Sequence, residues 1–269
     1  MRYQHIMKPN KYNYHNGFTL VEMAVVLAIV ALLLGGLIPT LSAQREAQQI
    51  KDTRKQLDEI REALEGYAII YGRLPCPAIS GSNGVEDPTT GVNCTYFSNP
   101  INASYNYLPA VTLGLSGTNS SGLLEDAWGN PIRYAVASSD STSPAFSKVF
   151  TTQNGVSSVG ISNLTALNLN PNLLVCSAAS SSNSSCTVSN STLASNAVAV
   201  IYSTGKNGAS GGTGNDEKEN LNPNGADSHG NVFVYHTPNA TTGNEFDDLM
   251  TWISPNVLVN RMVSAGRLP

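Results

Sequence analysis

Four cysteines are the side chains whose type and spacing most directly suggest chemistry. They form two sequence-local pairs, Cys76 with Cys94 and Cys176 with Cys186. The sequence has no C-x-x-C motif and no histidine at ligand spacing from them, which argues against a zinc site. We favour two disulfides formed in an oxidising compartment, and four buried thiols are the alternative. Closure of the shorter loops favours the two sequential pairings.

Catalytic motifs give little support to an enzyme. The chain has only four histidines and no H-E-x-x-H motif. The glycine-rich run Gly205–Gly214 leads into an acidic stretch rather than a helix with a phosphate-binding lysine, so a nucleotide loop is disfavoured. We predict that the protein is not an enzyme. The alternative is a membrane-anchored envelope enzyme, which only catalytic activity of the soluble domain would support.

Composition restricts the remaining classes. The chain has 269 residues, a formal net charge of −4 and 13% charged residues, against about 25% in ordinary soluble domains. The acidic balance argues against a generally basic nucleic-acid binder. Charge is concentrated in Ser42–Arg73, whereas the stretch Leu74–Asn215 is rich in hydroxyl and amide side chains. This distribution is typical of a secreted domain that follows a charged helix.

The N-terminus contains a long apolar segment. Met1–Gly17 carries basic residues and no acid, and the largely apolar run Phe18–Ile38 contains one charged residue, Glu22. A run of about 20 apolar residues can span a bilayer as a helix. The basic flank places the leader in the cytoplasm and the rest of the chain outside. A carboxylate in hydrocarbon costs several kcal/mol unless it finds a partner.

Two ordinary interpretations of this segment have weaknesses. A cleavable secretory signal would have an unusually long apolar region and a poor cleavage site at Leu41-Ser42-Ala43. A simple membrane anchor leaves Glu22 unexplained. The third interpretation rests on a resemblance: Gly17-Phe18-Thr19-Leu20-Val21-Glu22 is similar to the processing motif of type IV pilins and of type II secretion pseudopilins.

The resemblance implies a specific maturation. In that family a prepilin peptidase cleaves after the glycine, here Gly17, and methylates the new N-terminal residue, here Phe18. The family uses the glutamate at the position of Glu22 in assembly, where it could pair with the Phe18 amine of a neighbouring subunit. The implied partners are the peptidase, other pilin or pseudopilin subunits, and an assembly platform in the bacterial inner membrane. The implied location is the inner membrane with the globular domain in the periplasm, and then a periplasmic or cell-surface filament.

The chain is predicted to form one long helix followed by a globular domain. Ser42–Tyr71 continues the apolar segment as an amphipathic helix that ends at Gly72 and Pro75. Its apolar stripe consists of Ile50, Leu57, Ile60, Leu64, Tyr67 and Tyr71. Because Pro39 cannot donate a backbone hydrogen bond, we predict a kink or local melting of the helix near Gly35–Pro39. The predicted segments are a removed leader at 1–17, a transmembrane or filament-core helix at 18–41, an amphipathic half at 42–73 and an extracytoplasmic domain at 74–269.

The globular part is predicted as α+β, with the long helix packed on a small antiparallel sheet that has long loops. The strand candidates are Ile132–Ala137, Ala197–Tyr202, Val232–Tyr235 and Leu249–Ile253. A last helix begins with Ser254 as N-cap and Pro255 at its first position, and it ends near Gly266. The Ser/Asn-rich stretch Asn154–Ser195 is predicted to be an insertion at the surface.

Two further segments resemble the pseudopilin branch. Glu125–Tyr134 is similar to the D-x-W-G-N-P segment of the major type II pseudopilin, and its aromatic residues are predicted to be structural. The segment from Tyr202 to Asp216 is similar to that branch's calcium loop. We therefore predict a calcium site, with a flexible solvated loop as the alternative. Its predicted ligands are Asn207, Asp216, Glu217 and the carbonyls near Ser203 and Gly205.

These features favour a structural subunit of a type IV pilus or type II secretion filament. The alternative is a minor tip subunit that uses the same anchor and contacts an adhesion target, an exoprotein or DNA. No nucleic acid is predicted as a partner of a major subunit. Abundance in sheared filaments would distinguish the two hypotheses.

Overall fold

The computed structural model describes most of the chain but not all of it. Of residues 34–41, 159 and 221 it describes the backbone alone. The predicted leader, apart from Gly17, lies outside the described residues. Those residues are 17–89, 93–94, 106–138, 148–159, 171–179, 185–186, 191–208, 214–221, 231–241 and 243–268.

The chain divides into two compact units, Met1–Gln48 and Gln49–Pro269. Helix α1 is assigned continuously over Leu20–Tyr71. The backbone at Gly35–Pro39 is helical, so the local melting expected there is not observed. Long N-terminal helical structure is confirmed, and its first helical residue is two positions later than predicted.

In the second unit, α1 packs one face into the core. Leu57, Ile60 and Leu64 are buried at spacings of three and four residues, as the predicted stripe requires. Tyr67 is also buried, but Tyr71 is 47% exposed, so its assignment to the core stripe was wrong. Tyr71 is the last helical residue, and its ring lies at the surface with its centroid 4.3 Å from that of Tyr67.

The C-terminal end of α1 is closed by a glycine and by an arginine from the end of the chain. Gly72 has φ +66° and donates its N–H to the Ala68 carbonyl at 2.8 Å. This geometry favours glycine as the residue after a helix, and it confirms the predicted terminus. The guanidinium of Arg267 donates to the carbonyls of Ile69 and Ile70, which have no partner within the helix.

A buried ion pair joins the chain after α1 to the loop closed by the first disulfide. Two guanidinium nitrogens of Arg73 lie 2.7 Å from the two carboxylate oxygens of Glu86. Glu86 also accepts hydrogen bonds from the Tyr67 hydroxyl at 3.1 Å and from the Cys76 N–H at 3.0 Å. Both ionised side chains are under 10% exposed, so the pair is desolvated and satisfied by hydrogen bonds.

The first sheet contains the strands β1 (Arg133–Val136), β4 (Ala199–Ser203) and β6 (Leu249–Ile253). They lie in the order β1-β4-β6, and both pairings are antiparallel. Every residue of β4 is buried, as expected for the central strand of a covered sheet. These positions confirm three of the predicted strands, with β4 shifted by one or two residues at its ends.

The second sheet contains the strands β2 (Leu173–Cys176), β3 (Thr192–Ala197) and β5 (Val232–Val234). They lie in the order β3-β2-β5, in which β2 pairs antiparallel with β3 and parallel with β5. Only β5 was predicted. The stretch Asn154–Ser195 is therefore not simply a surface insertion, because it contributes the fully buried central strand β2. The α+β prediction is confirmed, and the described residues form two small sheets where one was expected.

Three shorter helices complete the described elements. They are α2 (Gly155–Val159), α3 (Asn215–Leu221) and α4 (Pro255–Ser264). The Ser254 hydroxyl caps α4 by accepting from the Val257 N–H, and proline opens the helix, as predicted. The structure contains both predicted disulfides, Cys76–Cys94 and Cys176–Cys186, and no free cysteine among the residues it describes.

Candidate functional site

The predicted processing site lies immediately before α1. Gly17, Phe18 and Thr19 precede the first helical residue, and Phe18 is 83% exposed. The peptide bond between Gly17 and Phe18 is therefore outside helical hydrogen bonding in this structure. A bond that is exposed and outside a helix is accessible to a protease.

Glu22 is engaged with Thr19 at the N-terminus of the helix. The Glu22 carboxylate accepts from the Thr19 N–H and the Thr19 hydroxyl, each at 2.9 Å. The Thr19 hydroxyl in turn accepts from the Glu22 N–H at 3.2 Å. This is a capping box, in which two exposed N–H groups are satisfied reciprocally. Thr19 was not assigned a role from the sequence, although the T-x-x-E spacing before an apolar run is its signal.

The first part of α1 exposes large apolar side chains on all sides. Among the large apolar residues from Leu20 to Leu33, exposure ranges from 42% at Val30 to 88% at Leu20. Within the side chains that the structure describes, no helix meets the combined length and hydropathy expected of a membrane span.

A second candidate site is a group of three carboxylates in the globular unit. Ligand atoms of Glu217, Asp247 and Asp248 all lie within 4.8 Å of one another. Glu217 is on α3, and the two aspartates come directly before β6. Glu217 and Asp248 are buried, and Asp247 is partly buried. Carboxylate oxygens in this arrangement are suited to a hard divalent cation such as calcium.

The electrostatics of the three carboxylates favour a cation. Burial, followed by the nearby charge of Glu217, raises the pKa of Asp247 to about 6. Burial is also the main reason that the pKa of Asp248 lies well above its ordinary value, and the charges of Glu217 and Asp247 add to it. A bound cation would offset both the desolvation and the mutual repulsion of these groups.

The described residues 204–208, which we call the loop after β4, form one wall of this acidic group. The backbone N–H groups of Asn207 and Lys206 donate to the Asp247 carboxylate. The Oδ1 atom of Asp247 is nevertheless buried without a hydrogen-bond partner among the described residues. Gly205 has φ +63°, and a Cβ at this position would lie 1.9 Å from that oxygen. The three carboxylates and the orphaned Asp247 oxygen fit a divalent cation, and a side chain at position 205 would displace that oxygen.

The structure brings together two of the three predicted side-chain ligands. The Asn207 amide donates to both oxygens of Glu217 at 3.0 Å. Asp216 lies elsewhere, because its oxygens contact the Ala179 N–H at 2.6 Å and His236 Nε2 at 3.2 Å.

Asp247 and Asp248 were missed because they follow the loop by about 30 residues in the sequence. An acidic pair directly before a buried strand is the signal that could have identified them.

The turn at residues 126–130 forms hydrogen bonds with the same loop and with the end of β4. Asp126 Oδ1 accepts from the N–H groups of Trp128 and Asn130 at 2.9 and 2.8 Å. Asp126 Oδ2 accepts from the Ser203 hydroxyl at 2.6 Å. The Asn130 amide donates to the Gly205 carbonyl at 2.6 Å, so this predicted ligand carbonyl has a protein partner. The aromatic ring of Trp128 packs against the core, as predicted.

Comparison with known proteins identifies the N-terminal segment. Residues 12–38 match the family model of the prokaryotic N-terminal methylation motif, so the match includes Gly17, Phe18 and Glu22. The chain therefore carries the type IV pilin-like prepilin motif, which supports processing by prepilin peptidase and assembly with other pilin subunits. No curated protein and no solved structure matches the chain significantly.

Proposed function

We propose that this protein is a structural subunit of a type IV pilus or type II secretion filament. Prepilin peptidase cleaves it after Gly17 and methylates Phe18, and the mature subunit assembles through α1. The observation that carries this proposal is the methylation-motif match at residues 12–38. The exposed bond before the helix is consistent with it.

The exposed apolar surface of α1 supports a buried destination for this segment. A helix that is apolar on all sides is stable only when lipid or protein covers it. Residues 18–41 would lie in the inner membrane before assembly, with residues 1–17 in the cytoplasm and the globular domain in the periplasm. After extraction by the assembly platform, neighbouring helices would cover the same surface in a periplasmic or cell-surface filament.

The assignment to the pseudopilin branch has separate support. The resemblance of Glu125–Tyr134 and of the loop after β4 comes from segments distant in sequence. In the structure they meet through the contacts of Asp126 with Ser203 and of Asn130 with Gly205. The two segments that resemble the pseudopilin branch therefore contact each other within one unit, and we base the choice of that branch on this pair of resemblances.

A minor tip subunit is the second candidate function, and a cleft favours it. A cleft of about 550 Å³ lies between α1, β6 and α4. The rings of Tyr235 and Trp252 meet edge to face at 5.9 Å on its wall, and Arg61 and Arg261 also line it. Aromatic and guanidinium groups are common in protein-binding surfaces. An exoprotein or adhesion target could bind there.

Copy number separates these two functions. We expect filaments sheared from cells to contain this chain as an abundant subunit when their proteins are quantified by mass spectrometry. A few copies per filament would instead support the tip subunit. Absence from filaments that assemble normally would contradict both functions.

We also propose that the acidic group binds calcium. Glu217, Asp247 and Asp248 would supply the charged oxygens. The sequence-based ligand set instead combined Glu217 with Asn207 and Asp216. Calcium bound there would join α3 to the strand β6 and would neutralise buried negative charge. The site is then a stabilising element of the globular unit.

Calcium is expected to raise the melting temperature of the full chain in detergent. A ligand that binds only the folded state at a concentration one hundred times its Kd stabilises it by about 2.7 kcal/mol. For a chain of this size that corresponds to roughly 5–10 °C. Asp247→Asn should abolish the rise, whereas Asp216→Ala should retain it. Absence of a shift in the wild-type protein at millimolar calcium would contradict the site.

A further inference from the structure

We infer that the turn at residues 126–130 positions the loop after β4 for cation binding, with Asn130 as the principal positioning residue. The inference rests on the proposed calcium site and concerns residues that would not touch the cation. Its basis is a chain of contacts that runs from this turn through the loop to Asp247.

The first link is the turn itself. The buried Asp126 carboxylate closes it by accepting two backbone N–H groups, and the Asp126 N–H donates to the Asn130 carbonyl at 2.8 Å. A side chain of helix α1 adds a further anchor, because Thr53 Oγ1 accepts from the Ala127 N–H at 3.3 Å. Asn130 is thus held on a rigid support, with its backbone fixed on both sides.

The second link joins the turn to the loop. Asn130 Nδ2 donates to the Gly205 carbonyl at 2.6 Å, and the Ser203 hydroxyl donates to Asp126 at 2.6 Å. Ser203 Oγ also accepts from the Gly205 N–H at 3.1 Å. Both polar groups of the Gly205 backbone are therefore fixed, directly or through Ser203, by the turn.

The third link joins the loop to the cation site. Gly205 lies against the Asp247 carboxylate so closely that a Cβ would overlap it. The next two residues, Lys206 and Asn207, donate their N–H groups to the same carboxylate. A displacement of the Gly205 carbonyl would therefore be transmitted to the orientation of Asp247. Groups that orient metal ligands typically contribute tenfold to one-hundredfold to metal affinity.

The decisive variant is Asn130→Asp, which keeps the shape of the side chain but replaces the donor with an acceptor. We expect it to raise the calcium Kd at least tenfold in isothermal titration of the full chain in detergent. A purely electrostatic effect has the opposite sign, since an added negative charge near the site would tighten calcium binding.

Asn119→Asp is the matched control. Asn119 Nδ2 donates to Glu125 Oε1 at 2.6 Å in the segment that precedes the turn, and the described partners of this amide, Glu125, Ser121 and Leu123, lie outside the loop. The substitution therefore removes a comparable hydrogen bond without displacing Gly205. We expect the calcium Kd of Asn119→Asp to stay within about twofold of wild type, because no positioning contact changes.

Two further variants test the same contacts if Asn130→Asp does not fold. Ser203→Ala removes the other contact between turn and loop without changing charge, and we expect it to raise the Kd as well. Asp126→Asn can still accept the two N–H groups and can donate to Ser203, so it should bind calcium nearly as wild type does.

The outcomes separate the inference from the site on which it rests. Wild-type protein that binds no calcium overturns the site and, with it, the positioning role. Wild-type protein that binds calcium, together with Asn130→Asp and Ser203→Ala variants of unchanged Kd, overturns the positioning role alone. Weaker binding by both variants, with normal binding by Asn119→Asp, supports it.

Discussion

Replacement of Glu86 with alanine is expected to lower the free energy of unfolding by about 3–5 kcal/mol. The Arg73 guanidinium, which is 8% exposed, would lose the carboxylate that neutralises it. The Tyr67 hydroxyl and the Cys76 N–H would also lose their acceptor. A buried charge without a partner is far more costly than the net gain from forming the pair. The connection between the end of α1 and the first disulfide loop would weaken as a result.

Thermal unfolding of the full chain measures this effect. A loss of this size corresponds to a decrease in melting temperature on the order of 10 °C. Glu59→Ala is the matched control, because Glu59 pairs with Lys55 at 3.2 Å while both side chains are largely exposed. Such surface pairs contribute about 0–1 kcal/mol. Equal small shifts in the two variants would show that the Glu86 pair does not hold the domain together.

Replacement of Glu22 with valine is expected to reduce incorporation into filaments at least tenfold while leaving cleavage and membrane insertion intact. The variant retains an apolar α1, but it removes the carboxylate proposed to pair with the Phe18 amine of a neighbouring subunit. An unpaired ammonium among packed helices costs about 3–5 kcal/mol, and each 1.4 kcal/mol corresponds to a factor of ten in an equilibrium constant. Comparison of sheared filaments with the membrane fraction measures the loss.

Thr19→Ala distinguishes the pairing function of Glu22 from its capping function. Thr19 closes the capping box with Glu22, and loss of a helix cap typically costs about 1 kcal/mol. This variant keeps the carboxylate and should assemble far better than Glu22→Val. Filament incorporation of Glu22→Val at the wild-type level would contradict the pairing proposal.

Helix ends and amphipathic helices could be predicted from the sequence, because residues close together in the chain determine them. The apolar stripe and Gly72 predicted the packed part of α1 and its end, and Ser254-Pro255 predicted the start of α4. Strand β2 was missed because its four apolar residues are flanked by Ser/Asn-rich sequence and have no alternation. A short apolar run of this kind identifies a buried strand only when its partners are known.

The candidate cation site shows a different limit of sequence reasoning. The loop after β4 suggested a site with oxygen ligands, and Glu217 and Asn207 do lie together. Asp247 and Asp248 enter the group through tertiary packing between α3 and the start of β6. Adjacent acids such as Asp216 and Glu217 point in different directions from the same helix turn, so Asp216 lies outside the acidic group although it is next to Glu217 in the sequence.

The N-terminus of the mature protein tests the central claim most directly. The chain should be isolated from cells that contain an active prepilin peptidase and its N-terminal peptide sequenced by mass spectrometry. The proposed function predicts an N-methylated Phe18 as the first residue, and a Gly17→Leu variant should retain the full-length precursor. A wild-type protein that begins at Gln44, or that keeps residues 1–17, would contradict it.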